Sequence, residues 1–565
     1  MAKNPYTQYV TSTNTTPQSQ PIPGKAQVKN NAGGYVFALD PWLQLERFLI
    51  LGTEGGTYYV GERKLTKDNA KMVLDLLDRD GKRVVDTIRD VSINGRAYKQ
   101  DPTLFALALA ASLGSDDKSN SELAKTRAET RAYALAQLND ICRTGTMLFN
   151  FVGYVSELRG WGSALQKAVG NWYLDRTPDN LANQLVKYRQ RNGWSHADLL
   201  RLSHVKVGSK VGVDVQRYDL PKGKSYVAER GIYNQEHPNA GLIRWTTGKA
   251  ETADSRLVEG YLAAQATKNP KQLVKLIEEY GLPWEALPTE ALNLPEVWLA
   301  LAPHMGYTAL LRNLGKMGST GALVNHSDLA KIVNNRLSNG DALRKARVHP
   351  MQVLLASNTY AAGKGVKGSN TWTPVGSVVD TLTDAFYASF GNLEATNKRR
   401  LMCLDVSGSM SAKIMNTHLS CREAESALCL VAFQKDPDSQ VMAFDTGLKP
   451  LNFSKNMRLP DAIKEVNRYN NFGGTDCALP MQWALNNKRK FDTFEVYTDN
   501  ETWAGKIHPM QALRKYRDAM GINAKLVVNG MTATGFTIAD PSDPGSLDVV
   551  GFDANAPKVI DDFIR

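Results

Sequence analysis

Few cysteines, few strand-forming blocks before residue 356 and no long apolar run mark this 565-residue chain, and each shortage excludes a class of protein. The five cysteines (Cys142, Cys403, Cys421, Cys429 and Cys477) are odd in number and lack paired spacing, which argues against a disulfide framework and for reduced thiols. The eight histidines form no H-E-x-x-H and no Cys/His cluster, so zinc is not expected. No stretch reaches the roughly 18 apolar residues that span a bilayer, and the polar N-terminus has no apolar segment to serve as a signal peptide. The expectation is a cytoplasmic protein with no membrane partner. At this length, with 42% hydrophobic and 22% charged residues, the chain is globular and needs at least two cores.

Charge is abundant but uneven. From Arg400 onward, 19 Lys+Arg face 20 Asp+Glu, so of the total of +11, residues 1–399 carry +12. A basic excess concentrated in this way suggests a polyanionic partner, nucleic acid first, with a solvated basic surface as the plain alternative.

The chain opens with a polar, proline-containing, aperiodic arm, residues 1–33, suited to packing on a neighbouring domain. Residues 34–370 then read as helices joined by short turns. Trp42, Leu45 and Leu49 share a helical face, Gly81 is a plausible stop, and Val84, Val85, Ile88 and Val91 form the next stripe. Leu104–Leu113 is apolar all round and should be buried, Glu122–Cys142 reads as one long charged helix, and helical texture continues to about Ala356. Consecutive helix pairs with scarce strand signals are most simply stacked as an α-solenoid. After the Gly/Lys-rich connector Ala362–Ser369, residues 371–565 alternate strand and helix. Leu382–Phe390 leads in; Leu401–Asp405, Gln440–Phe444, Phe494–Thr498 and Ala524–Asn529 read as strands, and Cys421–Gln434, Pro460–Arg468, Ala478–Asn487 and Pro509–Met520 as helices. The order is doubly wound α/β.

Two constellations carry chemistry. Between Phe151 and Arg230, 13 basic side chains face 7 acidic ones. Lys187, Arg189 and Arg191 flank Tyr188, Gly193-Trp194 turn the chain, and Ser195-His196-Ala197-Asp198 has the form of a capping box opening a helix that also bears Arg201 and His204. Cations interleaved with aromatics hold phosphates and stack unpaired bases. The candidate RNA-binding residues are Lys187, Arg189, Arg191, His196, Arg201 and His204, with Arg143 and Lys167. Trp161, Trp172 and Trp194 fit a core role. His196, at a helix start, suits a neutral hydrogen-bonding residue rather than a general acid or base, because no nucleophile or paired carboxylate accompanies it.

The second constellation is Asp405-Val406-Ser407-Gly408-Ser409, on a loop between a strand and a helix starting at Met410, with Gly473-Gly474-Thr475 and Thr498-Asp499. In an open parallel sheet these loops converge on the crevice at the strands' carboxyl ends. Asp405, Ser407, Ser409, Thr475 and Asp499 supply two carboxylates and three hydroxyls, an oxygen set suited to a hard divalent cation such as Mg²⁺. A carboxylate from a partner would complete the shell. The spacing resembles the metal-ion-dependent adhesion site of von Willebrand factor A domains.

Four longer strings extend the resemblance: Phe48–Tyr59, Lys187–His196, Ala309–Met317 and Thr498–Thr502 are similar to the Ro autoantigen, or TROVE-domain, family, from about residue 34 to the C-terminus. The resemblance implies an all-α ring of HEAT-like helical repeats closed by a von Willebrand factor A domain. It implies a protein that binds Y RNA on the outer surface of the ring, passes single-stranded 3′ ends of misfolded RNAs through its hole, and works beside exoribonucleases in RNA quality control, maturation or decay. His196 and the preceding cations carry over as Y RNA contacts, and the five oxygen donors as the metal site. The function expected is therefore a non-catalytic, monomeric RNA-binding scaffold. A metal-dependent nuclease and a protein-binding adhesion module are the alternatives. Against the nuclease, hydroxyls dominate where two-metal cleavage wants carboxylates.

Overall fold

A computed structural model describes residues 15–52, 64–114, 121–220, 224–366, 369–391, 394–414, 417, 419–436, 438–469 and 473–565, with backbone alone at 121 and 209–235. Residues 1–14 of the arm, Thr53–Tyr59 of the first family-like string, and Lys367 and Gly368 of the connector lie outside the described residues.

The end of the arm forms β1 (Val28–Lys29), antiparallel to β2 (Tyr35–Ala38) just beyond it. Helix Pro41–Leu51 follows, started by Asp40, whose side chain accepts from the Trp42 amide, and by Pro41 at its first position. The expected stop at Gly81 is a break rather than an end: one helical span covers Lys71–Ile93, with Asp80 out of helical geometry (φ −156°, ψ 76°) and its carboxylate capping the Arg83 amide. Gly81 is there for close packing, since a Cβ would lie 2.2 Å from the Thr130 hydroxyl. Helix Asp101–Ala111 is buried from Pro102 onward, against Lys71–Ile93, Ser121–Ala136 and Gly145–Leu158, as its uniform apolarity requires. The long charged helix divides into Ser121–Ala136 and Leu138–Ile141 at Gln137.

One expectation for this region is overturned. The helical texture is interrupted by β3 (Gln190–Arg191) and β4 (Trp194–Ser195), and then by a ribbon of β5 (Gly208–Leu220) and β6 (Lys224–Glu236), two 13-residue antiparallel strands. The period-two run Val211, Val213, Val215 is the strand signal there. Helices resume at Ala240 and continue to Pro350–Ala361.

The stack then closes on itself. His349 Nε2 lies 3.0 Å from the carbonyl of Arg96 and 2.8 Å from that of Phe552, so the start and end of the helical region meet at one corner of the C-terminal domain. The helix expected at Leu382–Phe390 as a lead into that domain runs over Gly376–Ala388 and packs on Pro350–Ala361 and Asp328–Leu337 of the stack.

The C-terminal sheet comprises β7 (Arg400–Asp405), β8 (Gln440–Phe444), β9 (Leu448–Pro450), β10 (Thr493–Thr498), β11 (Lys525–Gly530) and β13 (Ser546–Val550); β12 (Phe536–Thr537) pairs with β2. Its order is β13-β11-β10-β7-β8-β9, parallel except for β9. β7 and β10 are fully buried neighbours; the apolar run Leu401–Leu404 of β7 fits that burial, the charged Arg400 and Glu495 are buried with it, and the strand order reverses around the two strands. A helix from Met410 does not form. Gly408–Ser411 is a single 3₁₀ turn, and the helix starts at Cys421 because Ser420 and Glu423 make a capping box and Arg422 turns its guanidinium onto the carbonyls of Val406 and Ser407.

Buried ions join the parts. Arg47, 1% exposed, forms a two-pronged pair with Asp548 and donates to the carbonyl of Thr534. Arg400 is enclosed by Asp436 at 2.7 Å, Glu495 at 2.5 Å and Asp561 at 3.6 Å.

Candidate functional site

The first candidate site begins at the end of helix Pro178–Lys187. Asn192 (φ 52°) and Gly193 (φ 80°) form the two-residue turn of the β3–β4 hairpin, both in the left-handed region that Asn-Gly favours. The hairpin holds Arg189 and Arg191 in solvent, with Lys187 half-buried beside them. Ser195 then caps helix His196–Leu202: its hydroxyl accepts from the Asp198 amide, and the Asp198 carboxylate accepts from the Ser195 amide.

These residues line a cleft of about 770 Å³ whose other wall comes from sequence 50 to 100 residues later: Trp245, Tyr261, Trp284 and Glu285. The Arg189 guanidinium lies 5.0 Å from the centre of the Tyr261 ring, a cation–π contact. Glu285 has one buried carboxylate oxygen without a partner among the described residues; burial raises its pKa, opposed by the charges of Lys187 and Arg191. The aromatic wall has no local motif. Trp284 in Gly281-Leu282-Pro283-Trp284-Glu285 sits outside any helical stripe, and that is the one sequence feature that sets it apart.

The other expected RNA residues are placed differently. His196 borders the cleft, but its ring is 1% exposed, between Phe149 (4.7 Å between centres) and Trp172 (6.0 Å). Its Nδ1 is 2.8 Å from the Tyr173 hydroxyl and its Nε2 3.2 Å from the Gln184 carbonyl, and burial pushes its pKa down to about 3. His196 is therefore neutral, as its position suggests, but its ring belongs to the core and its hydrogen-bonding capacity is used inside the protein. Gly145 makes room for it, since a Cβ there would lie 2.7 Å from Nε2. Arg143 is engaged with the side chain and carbonyl of Ser92. Lys167, Arg201 and His204 are exposed but do not line the cleft. Trp172 is fully buried and donates to the Cys142 carbonyl, whereas Trp161 and Trp194 are half-buried, 6.4 Å apart.

The second candidate site is the crevice above β7 and β10. Asp405, Ser407, Ser409, Thr475 and Asp499 all sit there, none more than 3% exposed. One Asp405 oxygen accepts from the Ser407 amide (3.0 Å) and the other from the Thr498 hydroxyl (2.7 Å); the Ser407 and Ser409 hydroxyls are 3.0 Å apart. Asp499 accepts from the Glu501 amide, and its second oxygen is buried with no partner among the described residues. Burial first, then repulsion from a neighbouring carboxylate, pushes Asp405 and Asp499 up to about 7. A divalent cation would satisfy the orphaned oxygen and offset the repulsion, so these five side chains are the ones that fit an oxygen-ligated metal.

The arm clamps the rim of this crevice. Gln18, fully buried, bonds Asp476, the Ile507 carbonyl and the Thr502 hydroxyl, and Asn31 bonds Glu501. Gly34 meets the Thr502 carbonyl so closely that a Cβ would overlap it.

Residues 28–359 match the family model described as the TROVE domain, and residues 399–564 the one described as the Ro60 vWA domain. The chain is 38% identical over 552 residues to the RNA-binding protein RO60 of Deinococcus radiodurans, covering 97% of each. It is 37% identical over 587 residues to the RNA-binding protein RO60 of Caenorhabditis elegans, covering 95% of this chain and 90% of that one. The crystal structure of the Deinococcus radiodurans RO (RSR) protein superposes with a TM-score of 0.67 at 38% identity, covering 93% of this chain and 99% of that one.

Proposed function

Because the chain belongs to the Ro60 family, with its TROVE and vWA domains, we propose that it is a non-catalytic RNA-binding protein. The observation that carries this reading is the cleft where Lys187, Arg189 and Arg191 face Trp245, Tyr261 and Trp284. Cations bind the backbone phosphates and the aromatic wall takes unpaired bases, so affinity depends steeply on salt and favours RNA with splayed or single-stranded segments.

Within that function, the RNA is a Y-type small non-coding RNA together with single-stranded 3′ ends of misfolded RNAs, and the process is quality control, maturation or decay in the cytoplasm, beside an exoribonuclease. The stack closes within one chain, so a monomer suffices. The residues that would hold Mg²⁺ are Asp405, Ser407, Ser409, Thr475 and Asp499. When bound, the ion supplies a positive charge for a carboxylate of a protein partner. The chain's own part is to align the two aspartates, through Thr498 and the Glu501 amide, and to keep water out of the crevice by burial.

The test is binding of two labelled RNAs, a duplex with a single-stranded 3′ extension and the same duplex blunt, across a salt series. The expected result is salt-sensitive binding that prefers the extension and falls at least tenfold in Lys187→Ala/Arg189→Ala/Arg191→Ala. Weak, equal binding of both, unchanged in the variant, would overturn the reading.

A further inference from the structure

The string Ala309–Met317 contributes no residue to the cleft or to the metal loops. It lies on helix Tyr307–Ser319, three of whose faces have separate uses. Leu310, Leu311, Leu314 and Met317 are buried in the stack. Gly315 and Gly318 seat the indole of Trp372, which follows the connector, for a Cβ would lie 2.7 Å from the ring at Gly315 and 2.8 Å from the Trp372 Cβ at Gly318. Arg312 and Lys316, one turn apart, remain on the open side.

They open onto a cavity of about 370 Å³ at the seam of the stack. Tyr98 comes from the loop between helices Lys71–Ile93 and Asp101–Ala111, Gln352 from helix Pro350–Ala361, and Asn370 from just after the connector. No Asp or Glu lines it among the described residues. Arg312 makes no hydrogen bond or salt bridge among the described residues, and Lys316 uses one proton on Asn293 Oδ1 at 2.7 Å. Two cations in an acid-free cavity call for a dianion, and an aromatic ring with side-chain amides calls for a flat heterocycle bearing donors and acceptors. The volume is at the small end of ligand sites, which begin at roughly 300 Å³.

We propose that this cavity binds one nucleoside monophosphate unit, with its phosphate on Arg312 and Lys316, its base against Tyr98, and the base edge toward Gln352 and Asn370. The unit is either the terminal nucleotide of a single-stranded RNA, a source that rests on the RNA-binding reading above, or a free nucleotide, which does not.

The test uses the full chain and Arg312→Gln/Lys316→Gln, with Asn370→Asp as a second variant that brings a carboxylate into the cavity while keeping both cations. Calorimetry with 5′-AMP and anisotropy with the 3′-extended and blunt duplexes are the readouts. At least a tenfold loss in both variants, for 5′-AMP or for the extended duplex, with blunt-duplex binding within twofold of wild type, supports the proposal. Loss for the extended duplex alone identifies an RNA terminus, and loss for 5′-AMP alone a free nucleotide. Unchanged binding of both probes overturns the proposal, even where Lys187→Ala/Arg189→Ala/Arg191→Ala still abolishes RNA binding; that cleft variant alone tests the general RNA reading. Absence of any binding by the wild-type chain overturns both.

Discussion

His349 Nε2 is 3.0 Å from the carbonyl oxygen of Arg96, 253 residues earlier, and this contact seals the helical stack. The same nitrogen reaches the Phe552 carbonyl at 2.8 Å, while Nδ1 caps the Met351 amide at 3.1 Å, so the ring is neutral with its proton on Nε2. Beside it the Arg96 guanidinium bonds Asp553, Glu46 and Asp90, each at 2.6 Å. One histidine and one arginine thus tie together the two ends of the stack and the C-terminal domain.

Replacing His349 by alanine orphans the Phe552 carbonyl and the Met351 amide and leaves the Arg96 carbonyl with only the Ala554 amide at 3.5 Å. The expected loss is about 2–4 kcal/mol, read as a fall in thermal midpoint, with His349→Gln intermediate because its amide nitrogen still donates. An unchanged midpoint in His349→Ala would show that the closure contributes no stability.

Acid should loosen the same seam. Burial lowers the pKa of His349 to about 4, so the folded state excludes a proton that the unfolded chain binds below its ordinary value of 6.5. Stability from the neutral ring is full above pH 6.5 and is lost as pH falls toward 4, with His196 adding the same sign down to about 3. Thermal midpoints from pH 7 to 4 should fall less steeply in His349→Gln than in wild type.

Asp405 and Asp499 act with the opposite sign. Their pKa values are raised to about 7 from 3.8, so in metal-free protein they cost stability increasingly as pH rises between those values. Asp405→Asn should raise the metal-free melting temperature at pH 8 and should abolish the stabilisation expected of Mg²⁺ in wild type if the proposed site binds it, about 2.7 kcal/mol at a hundredfold excess over Kd. RNA binding should stay within twofold, since the cleft lies in the other domain. A Mg²⁺ response that survives in Asp405→Asn would remove this aspartate from the metal site.

Arg400 lies among three carboxylates, and burial is outweighed by their charge, so it stays fully protonated. Arg400→Met leaves those carboxylates without their cation and should cost about 3–5 kcal/mol. Urea titration of the variant checks this, and a loss below 1 kcal/mol would contradict it.

Gly315→Ala drives a methyl group into the Trp372 ring and should cost about 1–3 kcal/mol. The loss should shrink when Trp372→Ala is combined with it, because the two share one contact.

Local pattern made much of this molecule legible. The Ser195–Asp198 capping box, the fully apolar Leu104–Leu113 segment and the four main strands are written in neighbouring residues, and so are the three loops bearing Asp405, Thr475 and Asp499. The ribbon of β5 and β6 was obscured by the surrounding helical texture, although Val211, Val213 and Val215 alternate. The absent helix at Met410 turns on Arg422 taking two carbonyls, a contact between residues about 15 apart that no propensity records.

By itself the sequence determined most of the helices and the four main strands, because periodicity and capping are properties of neighbours, and which oxygen donors share the crevice, because a doubly wound order brings the ends of β7 and β10 together. Tertiary structure alone decided that His196 is a core residue, that Trp245, Tyr261 and Trp284 wall the cleft, and that Arg96 meets His349. Each of these depends on which distant surfaces pack together, where shape and desolvation choose the partner and spacing along the chain carries no information.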